Sequence, residues 1–101
     1  MPEVIVRPRA QADIREAALW HESRRPGLGS ELTLRFDALI ERIAQNPLQF
    51  PEIENGVRRA LLRRFPYAVY FVAADCPTVI AVLHQRRNPT MLKQRIQVDN
   101  R

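Results

Sequence analysis

The sequence predicts an α+β fold in which an antiparallel helix hairpin packs on an antiparallel sheet. Three observations predict it: a helical apolar stripe in the first half, three strand-like runs in the second half, and short connections between neighbouring elements. The predicted order is an N-terminal strand, the helix hairpin, a three-strand meander and a short C-terminal helix. No repeat or linker divides the 101 residues, so we expect a single domain over residues 1–101.

The N-terminal half predicts one strand and two helices. Residues 3–7 form a short strand on or near a sheet edge, and Pro8 ends it. Apolar residues at helical spacing predict a first helix over about 9–23 and a second over about 30–46. The break at 26–29 is short, which makes the two helices an antiparallel hairpin.

The C-terminal half predicts a loop, three strands and a short helix. Residues 47–56 are expected to form a loop with two prolines, and the runs 57–64, 67–74 and 78–85 are expected to be strands. Because their connections are short, the strands form an antiparallel meander. A short helix carrying Met91, Leu92 and Arg95 follows Asn88-Pro89.

The second and third strand runs are apolar on both faces instead of alternating. The helix hairpin covers one face of the sheet, because its apolar stripe has no other surface to pack on. Two alternatives remain for the second face: the C-terminal segment buries it, or it is left open for a partner.

Positive charge is concentrated in the second half of the chain. Residues 1–56 carry seven Arg and nine acids, a net charge of −2, whereas residues 57–101 carry nine Arg and Lys and two acids, a net charge of +7. This distribution predicts an anionic partner, either nucleic acid or an acidic protein segment.

Composition excludes several classes of protein. No stretch has the about 20 apolar residues of a membrane span, and the N-terminus lacks the regions of a signal peptide. The single cysteine, Cys76, excludes an internal disulfide, fits a reducing cytoplasm and is expected to be an incidental thiol. Two histidines and one cysteine are too few for a zinc site, and no glycine-rich phosphate loop is present, so we expect no metal and no cofactor.

The meander predicts a basic corner at one end of the sheet. In an antiparallel meander the end of the first strand, the start of the second and the end of the third lie at the same end. Guanidinium groups held close together repel one another, so an unpaired cluster is expected to await an anion. The residues of this predicted corner are Arg63, Arg64, Tyr67, His84, Arg86 and Arg87.

Other chemistry-bearing residues have ordinary structural interpretations. Arg58 and Arg59 are expected at the solvated end of an edge strand, and Tyr70 is expected to pack through its ring. His21 lies at the rim of a core-facing helix stripe, where packing is the better interpretation. His84 stays open between a structural role and that of a general acid or base.

Seven short segments, taken in order, resemble the RelE/ParE superfamily, the small toxins of bacterial type II toxin–antitoxin modules. No single segment is diagnostic, but their order and spacing are similar to the family over nearly the whole chain. The segments are 12–20 (ADIREAALW), 36–37 (FD), 46–47 (NP), 50–51 (FP), 58–62 (RRALL), 65–67 (FPY) and 84–89 (HQRRNP).

The resemblance implies a RelE-like fold and a toxin of a plasmid-stabilising kind that acts in the cytoplasm. It also implies a cognate antitoxin, encoded beside the toxin, that wraps it with a partly disordered segment. Contact with operator DNA is then expected only through the antitoxin. A toxin that buries part of its surface only with the antitoxin would account for the apolar second face and the uneven charge.

The family resemblance implies two possible mechanisms. RelE-like members cut messenger RNA on the ribosome, and here Arg64 and Arg86 would supply cations while His84 supplies a proton. Those nucleases resemble one another in having lysines near the site and a tyrosine close to the C-terminus. This chain contains only Lys93 and no aromatic residue after Phe71.

ParE-like members inhibit DNA gyrase, and the segments 84–89 and 65–67 are more similar to this branch. We therefore favour a gyrase inhibitor whose predicted corner binds the target, with the ribonuclease as the alternative. A non-toxic nucleic-acid-binding module is a third hypothesis, and it predicts binding that weakens steeply with salt.

Overall fold

The computed structural model describes residues 3–86 and 89–99 and contains three α-helices and a five-stranded sheet. Both long helices lie within two residues of their predicted bounds. The elements in chain order are β1 (Ile5–Val6), α1 (Pro8–Arg24), α2 (Leu28–Gln45), a 3-10 helix (Pro47–Gln49), β2 (Glu52–Glu54), β3 (Val57–Leu61), β4 (Tyr67–Val72), β5 (Thr78–His84) and α3 (Pro89–Asp99).

The strands form one sheet in the order β1-β5-β4-β3-β2. Strands β2 to β5 pair antiparallel with their neighbours, which confirms the predicted meander over β3, β4 and β5. The N-terminal strand β1 lies at the edge, as predicted, but it pairs parallel with β5. The sheet is therefore mixed, and the parallel pair is possible because a long connection, which includes the helix hairpin, separates β1 from β5 in the chain.

The segment 47–56, predicted as a loop, instead contains the 3-10 helix and the short edge strand β2. Asn55 and Gly56 connect β2 to β3 with φ angles of 47° and 81°. An Asn-Gly pair that adopts left-handed angles is the favoured two-residue turn of a β-hairpin. The Asn55-Gly56 dipeptide is therefore the local sequence signal for this hairpin and for strand β2.

The helix hairpin is closed by one carboxylate of α1. Glu22 accepts hydrogen bonds from the backbone N–H groups of Gly27 and Gly29 at 3.0 and 2.9 Å, and so caps the N-terminus of α2 from outside that helix. These two hydrogen bonds lower the pKa of Glu22, and the bond from Gly27 has the larger effect. Gly27 has a φ of 95° and so takes the left-handed conformation that the turn requires.

The main core lies between the helix hairpin and one face of the sheet. The buried stripe of α2 is the one that sequence spacing predicts, and it packs with buried residues of β3, β4 and β5. Phe50, which follows the 3-10 helix, meets Phe71 edge to face with ring centres 5.7 Å apart. The stripe residues of α2 are Leu32, Phe36, Leu39 and Ile43.

The second face of the sheet is covered by α3, which decides between the two alternatives that the sequence left open. A second buried cluster joins β3 and β5 to Ile96 of α3, with Leu92 packed against it. Tyr70 of β4 packs against this cluster, in agreement with its predicted role. The C-terminal segment is therefore part of the core.

Candidate functional site

The turn before β4 and the end of β5 meet at one end of the sheet. Tyr67, the first residue of β4, stands opposite His84, the last residue of β5. The backbone N–H of Gln85 donates to the carbonyl of Pro66 at 2.8 Å, which extends this pairing past the end of β5. The meander thus brings together the two segments that carry the predicted basic corner.

The arginines of this corner lie in irregular backbone instead of regular strand. Arg63, Arg64 and Arg86 are exposed, and Arg64 has a φ of 69°, which is unusual for a residue with a side chain. The expectation of an unpaired cluster is wrong for Arg64, because its Nη1 lies 3.4 Å from Oε1 of Glu31 on α2. This ion pair is weak, since the Arg64 side chain is 71% exposed. Arg87 lies outside the described residues.

His84 has a defined tautomer. The backbone N–H of Arg86 donates to Nδ1 of His84 at 3.1 Å, so in the neutral imidazole the proton is on Nε2. His84 is half-buried, and its ring lies edge to face with the Tyr67 ring, with centres 5.5 Å apart. The chain that turns back after β5 therefore orients this imidazole as a hydrogen-bond donor.

The structure adds His21 to the same group of rings. Its ring centre is 5.7 Å from that of Tyr67, 5.1 Å from that of Phe65 and 4.8 Å from that of Trp20. The predicted packing role of His21 agrees with these contacts. Tyr67 now stands between His21 and His84, a proximity that spacing along the chain does not reveal because α1 and β5 meet only in the folded sheet.

Burial lowers the pKa of His21, and the charge that His84 can carry lowers it further. The Nε2 atom of His21 is buried and has no hydrogen-bond partner within the described residues. Both effects favour the neutral imidazole, because a positive charge there loses hydration and meets a second positive charge.

A cleft of about 780 Å³ lies between α1, the end of β5 and α3, and the two histidines are on its wall. Its lining mixes aromatic rings with both signs of charge, so it is not a uniformly basic surface. The lining residues that carry charge or rings include Arg9, Glu16, Trp20, His21, His84 and Arg95.

An ion pair at the floor of the cleft was not predicted from the sequence. Arg95 of α3 contacts Asp13 of α1 through two hydrogen bonds of 2.7 and 3.2 Å. Both side chains are largely buried, with 9% and 16% of their surfaces exposed. A signal was present, because Asp13 lies three residues after Ala10 and four before Ala17, on the buried stripe of α1.

Other candidate residues lie away from this end. Arg58 donates to the carbonyl of Phe50 at 2.6 Å and lies 3.9 Å from Glu52, so it ties β3 to the preceding segment instead of ending freely in solvent. Arg59 and Cys76 are exposed. Over residues 3–86 and 89–99, no three His, Cys, Asp or Glu side chains are grouped as metal ligands would be.

Comparison with known proteins gives a family and a fold. A sequence profile described as ParE toxin of type II toxin–antitoxin system, parDE, matches residues 4–89. The chain is similar to a solved structure titled "Chromosomal ParDE TA system from P. aeruginosa", with a TM-score of 0.69 and 19% identity over 83% of this chain and 96% of that one. A search of curated protein sequences returned no match. None of the helices in the described part has the length and apolarity of a membrane span.

Proposed function

Because the chain belongs to the ParE toxin family of type II toxin–antitoxin systems, we propose that it arrests bacterial growth by inhibiting DNA gyrase until a cognate antitoxin neutralises it. The observation that carries this proposal is the family match, which extends over residues 4–89. We further propose that the protein acts in the cytoplasm, where gyrase and its DNA are found. Operator DNA is reached only through the antitoxin.

The basic corner is the proposed contact with the target. Exposed guanidinium groups on a turn fixed by strand pairing are suited to carboxylates or phosphates, because they present planar, permanently charged donors. The half-buried rings of Tyr67 and His84 pack against each other and fix the position of the turn relative to the end of β5. The residues proposed to contact the target are Arg63, Arg64, Tyr67, His84, Arg86 and Arg87.

A ribosome-dependent ribonuclease is the second candidate, and the observation that favours it is the pair of imidazoles around Tyr67. The His84 tautomer can donate a proton from Nε2, as that mechanism needs, but it cannot accept one there. The Nε2 atom of His21 is buried, so this imidazole is badly placed to act as the base. We therefore rank gyrase inhibition first.

The proposal is tested by inducing this chain alone in bacteria and mapping plasmid supercoiling and messenger RNA ends together. We expect growth arrest, altered supercoiling and intact messages, and rescue when the neighbouring antitoxin is co-expressed. New RNA ends within translated codons would replace the proposal by the ribonuclease alternative. Normal growth with ample folded protein would count against both toxin mechanisms.

The role of the corner is tested with the double variant Arg86→Ala/Arg87→Ala. We expect a folded protein that still binds antitoxin but no longer arrests growth, because the proposed anionic contact is lost. The matched control is Arg15→Ala/Arg59→Ala, which removes the same charge from exposed positions on α1 and β3. Equal arrest by both double variants would show that the corner is not the target contact.

The role of His84 is tested with His84→Gln, which keeps a donor of similar length. A gyrase inhibitor is expected to stay toxic, because the histidine then contributes only a contact. If the variant loses RNA cleavage that the wild type shows while its fold is kept, the histidine is catalytic and the ranking of the two mechanisms is wrong.

A further inference from the structure

Arg64 has a backbone conformation that a turn selected for stability alone would give to glycine or asparagine. Its φ of 69° lies in the left-handed region, which is unfavourable for a residue with a long side chain. The buried residues Leu62 and Phe65 anchor the chain on both sides of the turn. The N–H of Leu62 also donates to the carbonyl of Tyr67 at 2.9 Å. The fold thus holds an arginine in a strained position, a feature that clusters at functional sites.

A carboxylate of α2 orients the Arg64 side chain. Oε1 of Glu31 lies 3.4 Å from Nη1 of Arg64 and 3.8 Å from Nη2 of Arg35, which is one helical turn further along α2. The two guanidinium groups therefore converge on the same oxygen atom. Positive charges this close repel each other, and the carboxylate between them offsets the repulsion.

Both guanidinium groups keep donors for a second acceptor. Each group has five N–H donors in a fixed planar arrangement. Within residues 3–86 and 89–99, neither Arg35 nor Arg64 makes a hydrogen bond or ion pair with any residue except Glu31. The Arg64 side chain is also largely exposed, so a partner can reach it.

We propose that Glu31 positions Arg35 and Arg64 as a clamp for one carboxylate of the target protein, which makes Arg35 part of the target contact. The clamp extends the basic corner from the sheet onto α2. The inference rests on the proposed function, because that function supplies the target. Glu31 is a positioning residue, since it acts through the two arginines. The ligand carboxylate accepts hydrogen bonds from both guanidinium groups, which are the strongest donors for a planar anion.

The charges of the clamp suit a single carboxylate better than a nucleic-acid strand. Arg35, Arg64 and Glu31 together carry one net positive charge, which one carboxylate neutralises. Phosphates follow one another along a strand, and the partly exposed Glu31 repels the neighbours of any phosphate that is bound.

An exposed leucine beside the clamp also favours a protein. Leu34 follows Glu31 by three residues on α2, so the two side chains are neighbours on the helix surface. The Leu34 side chain is 68% exposed, although it is large and apolar. Protein surfaces supply apolar side chains that can cover such a leucine, whereas a phosphate backbone does not.

Glu31→Gln separates positioning from simple charge attraction. The variant makes the surface more positive, so simple attraction predicts equal or stronger binding of an anionic target. Positioning predicts the opposite, because without the carboxylate the two guanidinium groups repel each other and move apart. We expect the protein concentration that halves gyrase supercoiling to rise by about fivefold or more.

Glu41→Gln is the matched control, because it makes the same chemical change at an exposed position on α2. We expect it to inhibit gyrase as the wild type does. Both variants are expected to keep similar melting temperatures, since exposed ion pairs contribute little to stability. Inhibition by Glu31→Gln that equals or exceeds that of the wild type would overturn the clamp alone. A folded wild type that leaves gyrase fully active would overturn the proposed function as well.

Arg35→Gln tests the second arginine and the source of the carboxylate. Binding to the gyrase protein without DNA is measured for this variant and for Arg15→Gln, which removes the same charge from an exposed position on α1. We expect Arg35→Gln to weaken binding by about fivefold or more and Arg15→Gln to leave it unchanged. Equal affinities of the two variants would remove Arg35 from the contact. A loss that appears only when DNA is added would place a phosphate in the clamp and overturn the protein carboxylate.

Discussion

Asp13 and Arg95 hydrogen-bond to backbone groups of β5 through their side chains, as a neighbouring strand would through its backbone. Each is charged and largely buried, which is unfavourable unless the charge is paired and hydrogen-bonded. Both conditions are met, since the two bond to each other and also to the Ile80 carbonyl and the Val82 N–H of β5. The pair therefore joins α1, β5 and α3 at one point.

Replacing Arg95 tests this joint. Arg95→Met keeps a long apolar stem but leaves the Asp13 carboxylate and the Ile80 carbonyl without their donor, so we expect a loss of about 2–3 kcal/mol in the free energy of unfolding. The measurement is urea unfolding. The control Lys93→Met alters an exposed residue of the same helix and is expected to change stability by less than about 0.5 kcal/mol. A loss no larger than that of the control would mean that the pair does not hold α3.

His21 gives the fold a pH dependence of known sign. Its pKa is lowered from 6.5 in the folded chain, chiefly by burial, so below that pH the unfolded chain binds more protons. Stability is therefore lost as pH falls below 6.5, and the loss is complete below the folded pKa. The lowered pKa of Glu22 acts in a separate window, below its ordinary value of 4.5.

The measurement is thermal unfolding of wild type and His21→Phe at about pH 7.5 and about pH 5.5, on either side of the unfolded pKa. We expect the wild type to lose more stability than the variant on acidification, because phenylalanine keeps the ring contacts but binds no proton. Identical losses would contradict the assignment of this dependence to His21.

At the scale of elements, the helix hairpin depends on a close approach at Gly29. A Cβ atom at this position would lie 2.7 Å from the backbone carbonyl oxygen of Ala18, closer than such atoms approach in proteins. The same glycine also donates to Glu22. The two helices therefore pack with one backbone against the other at this point, which only glycine permits.

Gly29→Ala tests this contact. We expect a loss of about 1–3 kcal/mol in the free energy of unfolding from overpacking, although alanine has the higher helix propensity. Ser30→Ala is the matched control at the next, exposed position and is expected to be neutral or slightly stabilising. Guanidinium unfolding followed by circular dichroism measures both variants. If the alanine at position 29 stabilises the protein, the hairpin is not in close contact there.

The elements with strong periodicity could be predicted from the sequence, and those fixed by distant contacts could not. The stripe of α2 and the meander carry their own patterns. Strand β2 has only three residues, too few to show alternation, and the Asn55-Gly56 turn was its only local sign. The parallel pairing of β1 depends on where the hairpin returns the chain, which no local pattern encodes.

At the scale of the whole molecule, the candidate site was predictable only in part. Connection lengths alone place Tyr67 and His84 at the same end of the sheet, and the structure adds that the two residues pair directly. The approach of His21 to Tyr67 and the ion pair of Asp13 with Arg95 require the packing of α1 and α3 on β5. Side chains that meet across elements far apart in the chain leave little trace in a single sequence.

The excess positive charge lies in the half of the chain that carries the proposed target contact. That half contains β4, β5 and the arginines around them. Under the proposed function, the target meets the basic corner at this end of the sheet.

A supercoiling assay with purified components tests the central claim most directly. Gyrase, relaxed plasmid and ATP are mixed with increasing amounts of this protein, and then with the protein and its antitoxin in equal amounts. We predict that supercoiling is lost as the protein is added and is restored by the antitoxin. Full gyrase activity at a large molar excess of folded protein would contradict the account.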